Sequence, residues 1–498
     1  MVTQTQDQDE GLDPELRKLA IVVLLGAVMT ILDTTIVNVA VKSFADAFEA
    51  PLTTIQWVLT GYTLALSMSI PITGWAVARF GAKRMWTVSL VGFVTASALC
   101  GLAWDVTSLI VFRVLQGAAA GMIMPIGQTM LAQKAGPRRM GRVMAVIAVP
   151  AMLAPVLGPA LGGLLLEHLS WRWLFFINVP FCAVALAAAF RFMEPDVRSA
   201  VTAKLDWLGL LLLSPGLALV VFGMAEAGEG EALTGFKVLG SALLGLLLIG
   251  LFVLHALRRG DSALVDVRLY RDRTFSVVNL AFFVYVGALF GMMVLFPLYY
   301  QVVHGYSPLK SGLMTAPMGL GAMITMALSG RLADRLGSRR LALTGLPVVL
   351  LGILCYTQIS YDTPVAVLLG ILFLIGIGHG TMMPALMGGM YRTLSPAQVP
   401  SATVAGNIGM RVGSSLGVAA LAVLLQLALT DRFPDSDGTL SAVPADLPHS
   451  VAVLFTSAFT HTFWWAFALA ALALIPTLLI PKHAPDTAPK QPVAQDSA

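Results

Sequence analysis

Residues Gly74-Trp-Ala-Val-Ala-Arg79-Phe-Gly81-Ala-Lys83-Arg84 return 256 positions later as Gly330-Arg-Leu-Ala-Asp334-Arg335-Leu-Gly337-Ser-Arg339-Arg340. Both Gly, the Arg between them and the final Arg coincide. A second segment, Leu115-Gln-Gly117-(x)3-Gly121-(x)2-Met124-Pro125, returns at an offset of 259 as Leu374-Ile-Gly376-(x)3-Gly380-(x)2-Met383-Pro384. Each basic turn is wedged between two long apolar runs. Two matches in order at nearly one offset require a chain folded as two related halves.

The apolar runs decide what those halves are made of. Hydrophobic residues are 57% of the chain and charged residues 12%, a balance with which no soluble domain of 498 residues covers its surface. Crossing a bilayer takes ~20 predominantly apolar residues. Fourteen such runs occur, at about 19–41, 53–78, 85–103, 107–132, 142–165, 172–192, 206–225, 236–257, 275–303, 310–333, 341–360, 364–390, 400–430 and 457–481. The expected class is an all-α integral membrane protein. Its N-terminal six-helix bundle lies at 19–192 and its C-terminal six-helix bundle at 275–481. Two inserted helices at 206–258 have no repeat partner and are expected at the periphery. Residues 1–18 are polar and lack the apolar core of a signal peptide. Residues 482–498, rich in Pro, Ala and Gln, read as a disordered tail. Parallel repeats of this kind build the central site of many secondary transporters.

Basic residues fix the topology. With the N-terminus in the cytoplasm, 24 of the 31 Lys and Arg fall on cytoplasmic segments. Lys42, Arg172, Lys237, Lys310 and Arg432 fall outside, and Arg113 and Arg411 lie within spans. A plasma (inner) membrane protein with both termini cytoplasmic is expected. The pI near 9.0 reports loops anchored on an anionic leaflet and gives no reason to expect nucleic acid.

Several chemistries drop out. No Gly-x4-Gly-Lys-Ser/Thr loop exists to cradle a nucleotide phosphate. Cys100, Cys182 and Cys355 share no metal-binding spacing and read as packing residues. Gly413-Ser-Ser415-Leu-Gly417 matches a nucleophile elbow only in letters, because it lies inside a span. With Gly409 it forms an every-fourth-residue glycine ladder that lets helices approach. His379 reads as a hydrogen-bonded packing histidine, with a cavity-lining, titrating role as the alternative. No catalytic residue, metal or cofactor is expected, and an ion gradient is the remaining energy source.

Charge within the membrane is costly and marks function. Asp33 is the only acid well inside a span. At ~1.5 Å per residue it lies ~12 Å below the outer surface, and Arg113 ~9 Å below the same surface. Desolvation and a nearby guanidinium pull such a carboxyl in opposite directions, which suits a group that loads and releases protons. A static Asp–Arg pair that fixes packing is the alternative.

These residues resemble a family. Leu32-Asp33-Thr-Thr-Ile36-Val-Asn38-Val-Ala40 is similar to the helix-1 motif of the fourteen-span drug/proton antiporters (EmrB/QacA type) of the major facilitator superfamily. Residues 74–84 resemble the superfamily's loop 2–3 motif and Arg113-Val-Leu-Gln116-Gly117 its helix-4 motif. Gly158-Pro159-Ala-Leu-Gly162-Gly163 is similar to the helix-5 antiporter signature, and Trp171-Arg-Trp173-Leu-Phe-Phe-Ile-Asn178-Val-Pro180 to the opening of helix 6. The resemblance covers about 19–481. It implies the major facilitator fold and proton-coupled efflux of small amphipathic, often cationic drugs by alternating access. It also implies proton coupling by Asp33 and Arg113. Gating falls to Gly74, Arg79, Gly81 and Arg84 in the first turn and Gly330, Asp334, Arg335, Gly337 and Arg340 in the second. The partners expected are a small-molecule substrate, protons and the bilayer, with a monomer sufficing. Two departures stand out. Ala78 occupies the place of the motif's usual acid, which Asp334 keeps. The helix-1 motif ends Ala40-Val41-Lys42 in place of Ala-Leu-Pro, which leaves the outer end of that helix open.

In helix 5, Pro150, Pro155 and Pro159 are expected to bend the span, and Gly158, Gly162 and Gly163 to allow close packing. Candidate cavity residues are Asn38, Gln116, Phe283, Tyr285, Asn407 and Arg411. Helix 9 is rich in aromatic and Met side chains that suit bulky cations, whereas its Tyr299 and Tyr300 are expected at the lipid interface. Arg411 suits an anionic group instead. A dedicated exporter of one endogenous metabolite, lipid or antibiotic on the same scaffold is the alternative function.

Overall fold

A computed structural model describes residues 13–151, 154–196, 204–228, 235–433 and 448–482, with side chains also undescribed at 137–142, 144–157, 159–160 and a few further positions including 330–331 and 333–336. The described chain is helical throughout. Among the described residues, twelve helices are long and apolar enough to cross a membrane: α1 (Pro14–Phe48), α3 (Ala82–Gly101), α4 (Val106–Gly136), α6 (Trp173–Phe192), α7 (Trp207–Ala227), α8 (Phe236–Arg259), α9 (Arg273–His304), α10 (Pro308–Ser329), α11 (Ser338–Tyr356), α12 (Val365–Met390), α13 (Val399–Arg432) and α14 (His449–Leu479). A thirteenth, α2, is a pair bent by 55° between Leu52–Ser69 and Thr73–Phe80. At the place of the remaining expected span is α5, Ala154–His168, which follows a helical stretch running from α4 past Gly136.

Element ends follow local chemistry. The Asp13 carboxylate caps α1 by accepting from Glu15 N at 3.2 Å, so 14–18 join the helix instead of the leading segment. No proline stops α1 after Asn38; it passes through a tight turn at Asn38–Ala40 and continues to Phe48. The two basic turns share one backbone. Gly81 has φ 92° and ψ 153°, and Gly337 has φ 79° and ψ 155°. That region is open essentially to glycine alone, which is why this residue survives in both copies.

The repeat is also visible in packing. α4 rests on α2 and α3, and α12 rests on α10 and α11; α1 touches α5 and α6 as α9 touches α13 and α14. A Cβ at Gly117 or Gly121 would stand 2.3 Å from Tyr62 O or 2.2 Å from Leu66 O on α2. At Gly376 or Gly380 it would stand 2.1 Å from Met318 O or 2.2 Å from Ala322 O on α10. The second repeated segment is therefore a backbone-on-backbone contact made once in each half.

The halves meet through α10, α12 and α13 against the α4–α5 stretch, and through the 73–80 arm of α2 against α13. Of the inserted pair, α7 touches both α2 and α13, whereas α8 leans mainly on α7 and is the least buried span. The Ser214 hydroxyl donates to Met68 O at 2.7 Å, and Trp57 stacks on Phe222 at 6.1 Å. So α8 is peripheral, and α7 is a strut across the seam. Tyr299 and Tyr300, expected at the lipid interface, are both 0% exposed. The Tyr300 and Tyr356 hydroxyls hydrogen-bond at 3.1 Å within an aromatic cluster that also holds Phe296 and Phe463. Aromatic area packs well inside a bundle when its hydroxyl finds a partner, as that of Tyr300 does.

Candidate functional site

Asp33 lies on α1, and four helices converge on it. Its Oδ2 accepts from Arg113 Nη1 of α4 at 2.7 Å, and its Oδ1 accepts from Gln116 Nε2 at 2.9 Å and from Asn178 Nδ2 of α6 at 2.7 Å. Arg113 also donates to Gln116 Oε1 at 2.8 Å and, through Nε, to Val58 O of α2 at 3.1 Å. Its guanidinium covers the Tyr62 ring at 3.9 Å. Asn178 donates onward to Ser97 Oγ of α3 at 2.9 Å, and Ser97 to Phe175 O at 2.9 Å. Asp33, Gln116, Asn178 and Ser97 are 0% exposed and Arg113 is 1% exposed. The equal depth read from helix rise is thus an ion pair, and both carboxylate oxygens are occupied. Such a buried pair holds only because further hydrogen bonds complete it.

Asn178 and Ser97 carry no charge, so counting charges within spans does not locate them. A polar residue in the Trp171–Pro180 opening of α6, at the depth of Asp33, is the signal that locates Asn178. Gln116, expected to line a cavity, is spent within this network.

The other candidates are scattered. Tyr285 is 1% exposed, and its hydroxyl lies 2.8 Å from Nδ1 of the wholly buried His379. His379 is thus a hydrogen-bonded interior residue. Asn407 donates to Gln128 Oε1 of α4 at 2.7 Å, a bond that joins the two halves. Phe283 and Arg411 are half-buried, and Asn38 is exposed.

Helix 5 packs on the turn that follows Asp33. A Cβ at Gly158 would stand 2.0 Å from Thr35 Oγ1, and one at Gly162 would stand 3.0 Å from Ile36 O. Gly163 differs from the expectation, because it faces open space. The pseudo-equivalent pair in the second half is Gly413 and Gly417, whose added Cβ would stand 2.7 Å from Phe283 O and 1.9 Å from Gly287 O on α9. The expected glycine ladder is therefore a helix contact, and Ser415 has no elbow around it. Pro150, Pro155 and Pro159 have side chains outside the described residues.

At the first basic turn, Asp196 stands against Gly81 and lines the same cavity as Ala78. Its carboxylate accepts from Lys83 N at 2.8 Å and Arg84 N at 2.9 Å, capping α3. Lys83 Nζ donates to Met193 O at 2.6 Å. Arg79 and Arg84 are exposed on a cavity of about 1130 Å³ that Ala78, Lys134, Glu194 and Asp196 also line. Gly74 meets the second half, where its Cβ would stand 3.7 Å from Val404 of α13. Gly337 is approached by Arg392, and Arg340 is exposed. The side chains at Gly330, Asp334 and Arg335 lie outside the described residues. Among the described residues no cluster of His, Cys, Asp and Glu is arranged to hold a metal ion.

Comparison with known proteins gives this geometry its context. Residues 23–418 match the family model described as Major Facilitator Superfamily. The chain is 36% identical over 495 residues to a protein named multidrug resistance protein B homolog of Mycobacterium tuberculosis, covering 95% of this chain and 92% of that one. It is 33% identical over 325 residues to the multidrug export protein EmrB of Haemophilus influenzae, covering 64% of this chain and 63% of that one. The human organic anion transporter MFSD10 shares the fold, with TM-score 0.62 and 18% identity over 94% of this chain and all of that one. On its own 23–418 match and its full-length relative, the chain belongs to the Major Facilitator Superfamily, in the EmrB-type drug/proton antiporter family.

Proposed function

We propose that this chain exports small amphipathic compounds across the plasma membrane in exchange for protons, with both termini in the cytoplasm, its two six-helix bundles rocking about a shared seam. The observation that carries the reading is Asp33, a wholly buried carboxylate tied by three side chains from α4 and α6. The relatives' names supply the class of cargo.

Protonating Asp33 removes its charge, so Arg113 loses its counter-ion while keeping Val58 O and the face of Tyr62. The tie between α1 and α4 weakens at that moment, and the α5 glycines that pack on Thr35 and Ile36 feel any shift of α1. Proton loading at one residue thereby becomes a change in how α1, α4 and α5 pack. Gly74 on Val404 and Asn407 on Gln128 close one end of the seam and are the contacts that rocking must break.

The test is transport in proteoliposomes of a panel of amphipathic cations, neutral compounds and anions under an imposed pH gradient. Wild type moves members of the panel up their gradient. Asp33→Asn loses gradient-driven movement and keeps substrate-for-substrate exchange. A panel on which the gradient has no effect refutes proton exchange, and gradient-driven transport retained by Asp33→Asn removes Asp33 from it.

A further inference from the structure

The charges inside the membrane-spanning core point away from the cations that the aromatic and Met-rich α9 suggests. This inference rests on the export reading and concerns the charge of the cargo. Asp33 has no oxygen free for a cationic substrate, since Arg113, Gln116 and Asn178 occupy both. Arg113 in turn is spent on Asp33, Gln116, Val58 O and the Tyr62 ring.

Arg411 is different. Among the described residues it has no acidic partner, and its own carbonyl is taken by the Ser414 hydroxyl at 3.0 Å. Its side chain is half-buried. Asn407, on the same face one turn earlier, is bonded to Gln128 across the seam. Arg411 therefore stands ~6 Å farther along that seam. The Tyr62 ring is spent on Arg113, whose own partner is Asp33. Summed over Asp33, Arg113 and Arg411, the seam carries one uncompensated positive charge.

A guanidinium held in a span without a counter-ion is costly, and it is kept where a partner arrives to neutralise it. Its planar fork matches an oxyanion with two donors at once. We propose that Arg411 binds the acidic head group of the cargo, a carboxylate or sulfonate, so that amphipathic anions are the preferred substrate class.

The probes are radiolabelled decanesulfonate and decyltrimethylammonium. They have equal tails and opposite permanent charges, so neither is moved passively by a pH gradient. Equilibrium binding to purified protein in detergent is measured for wild type, Arg411→Lys and Arg411→Gln, and movement is measured in proteoliposomes. The wild type is expected to favour the sulfonate. Arg411→Gln lowers the sulfonate-to-ammonium binding ratio by roughly ten- to a hundred-fold, the worth of a charged hydrogen bond. Arg411→Lys, which keeps the charge and loses the fork, falls between. A wild type that favours the ammonium, or a ratio unchanged in Arg411→Gln, overturns the assignment. Equal loss of both ligands does so too, because it marks a structural residue. Sulfonate binding without gradient-driven movement leaves the anion site standing and refutes the export reading.

Discussion

Neutralising Asp33 and Arg113 together should cost less stability than the two single substitutions added. In Asp33→Asn the guanidinium stays buried at 1% exposure without its counter-ion. The new amide also directs N–H groups at the donors of Gln116 or Asn178, which now bond the carboxylate at 2.9 and 2.7 Å. Removing one member of a buried pair costs about 3–5 kcal/mol. Arg113→Gln strands the carboxylate and costs about as much by the same argument. In Asp33→Asn/Arg113→Gln neither charge remains, and polar groups of similar length can hydrogen-bond. The double variant should therefore be less destabilised than the two singles added together, with a coupling of about 3 kcal/mol. The assay is reversible unfolding in mixed micelles, titrated with dodecyl sulfate and followed by tryptophan fluorescence. Effects that add to within about 0.5 kcal/mol would mean that the pair is not energetically coupled. The proposal that protonation loosens α1 from α4 would then lose its physical basis.

Two further predictions test packing and pH dependence. Gly117→Ala and Gly376→Ala each push a Cβ into a neighbouring carbonyl oxygen, at 2.3 and 2.1 Å, and should cost about 1–3 kcal/mol; Gly163→Ala, facing open space, should stay within about 0.5 kcal/mol, and equal melting temperatures for the three would refute the contact argument. At the foot of α7, burial raises the pKa of Asp206, but hydrogen bonds from His255, Gly209 N and Leu264 N outweigh it and hold the carboxyl below its usual range. A depressed folded-state pKa gives stability that is full above about pH 4 and is lost as pH falls through the folded value, so the melting-temperature deficit of Asp206→Asn should be present at pH 7 and shrink below pH 4.

The fold was legible because its determinants are local. Apolar run length locates helices, as when 206–225 and 236–257 became α7 and α8 within a few residues. Glycines that recur at one offset do so because each half places the same backbone on the same backbone. The Asp33–Arg113 contact was legible because helix rise converts sequence position into depth. What could not be read was rotation about each helix axis. That rotation turns Tyr299 and Tyr300 inward, spends Gln116 on Asp33 and leaves Gly163 facing nothing. The acid that caps α3 at the first basic turn was hidden for another reason. Asp196 is remote in sequence and acts on backbone N–H groups, which no side-chain pattern announces.

The halves share their packing and differ in their charge, and that difference governs energetics. Past Arg273 neither α9 nor α12 carries an Asp, Glu, Lys or Arg, so among the described residues α9 and α12 hold no counterpart of the Asp33–Arg113 pair. The second half contributes Arg411. With Asp33 ionised the seam carries a single positive charge, and with Asp33 protonated it carries two. An anion at Arg411 should then be held more tightly with Asp33 protonated, and a cation less tightly. Simple displacement by protons therefore suits cationic cargo, whereas anionic cargo must be exchanged through the packing of α1, α4 and α5. Membrane potential separates the cases as well. Exporting a monovalent anion for one proton moves two charges, worth about 4.6 kcal/mol at 100 mV, while exporting a monovalent cation for one proton moves none. In proteoliposomes at equal pH, an inside-negative potential set with valinomycin should drive decanesulfonate outward and leave decyltrimethylammonium unmoved. Outward movement of the ammonium alone, or no response of the sulfonate, would contradict the charge assigned to the cargo.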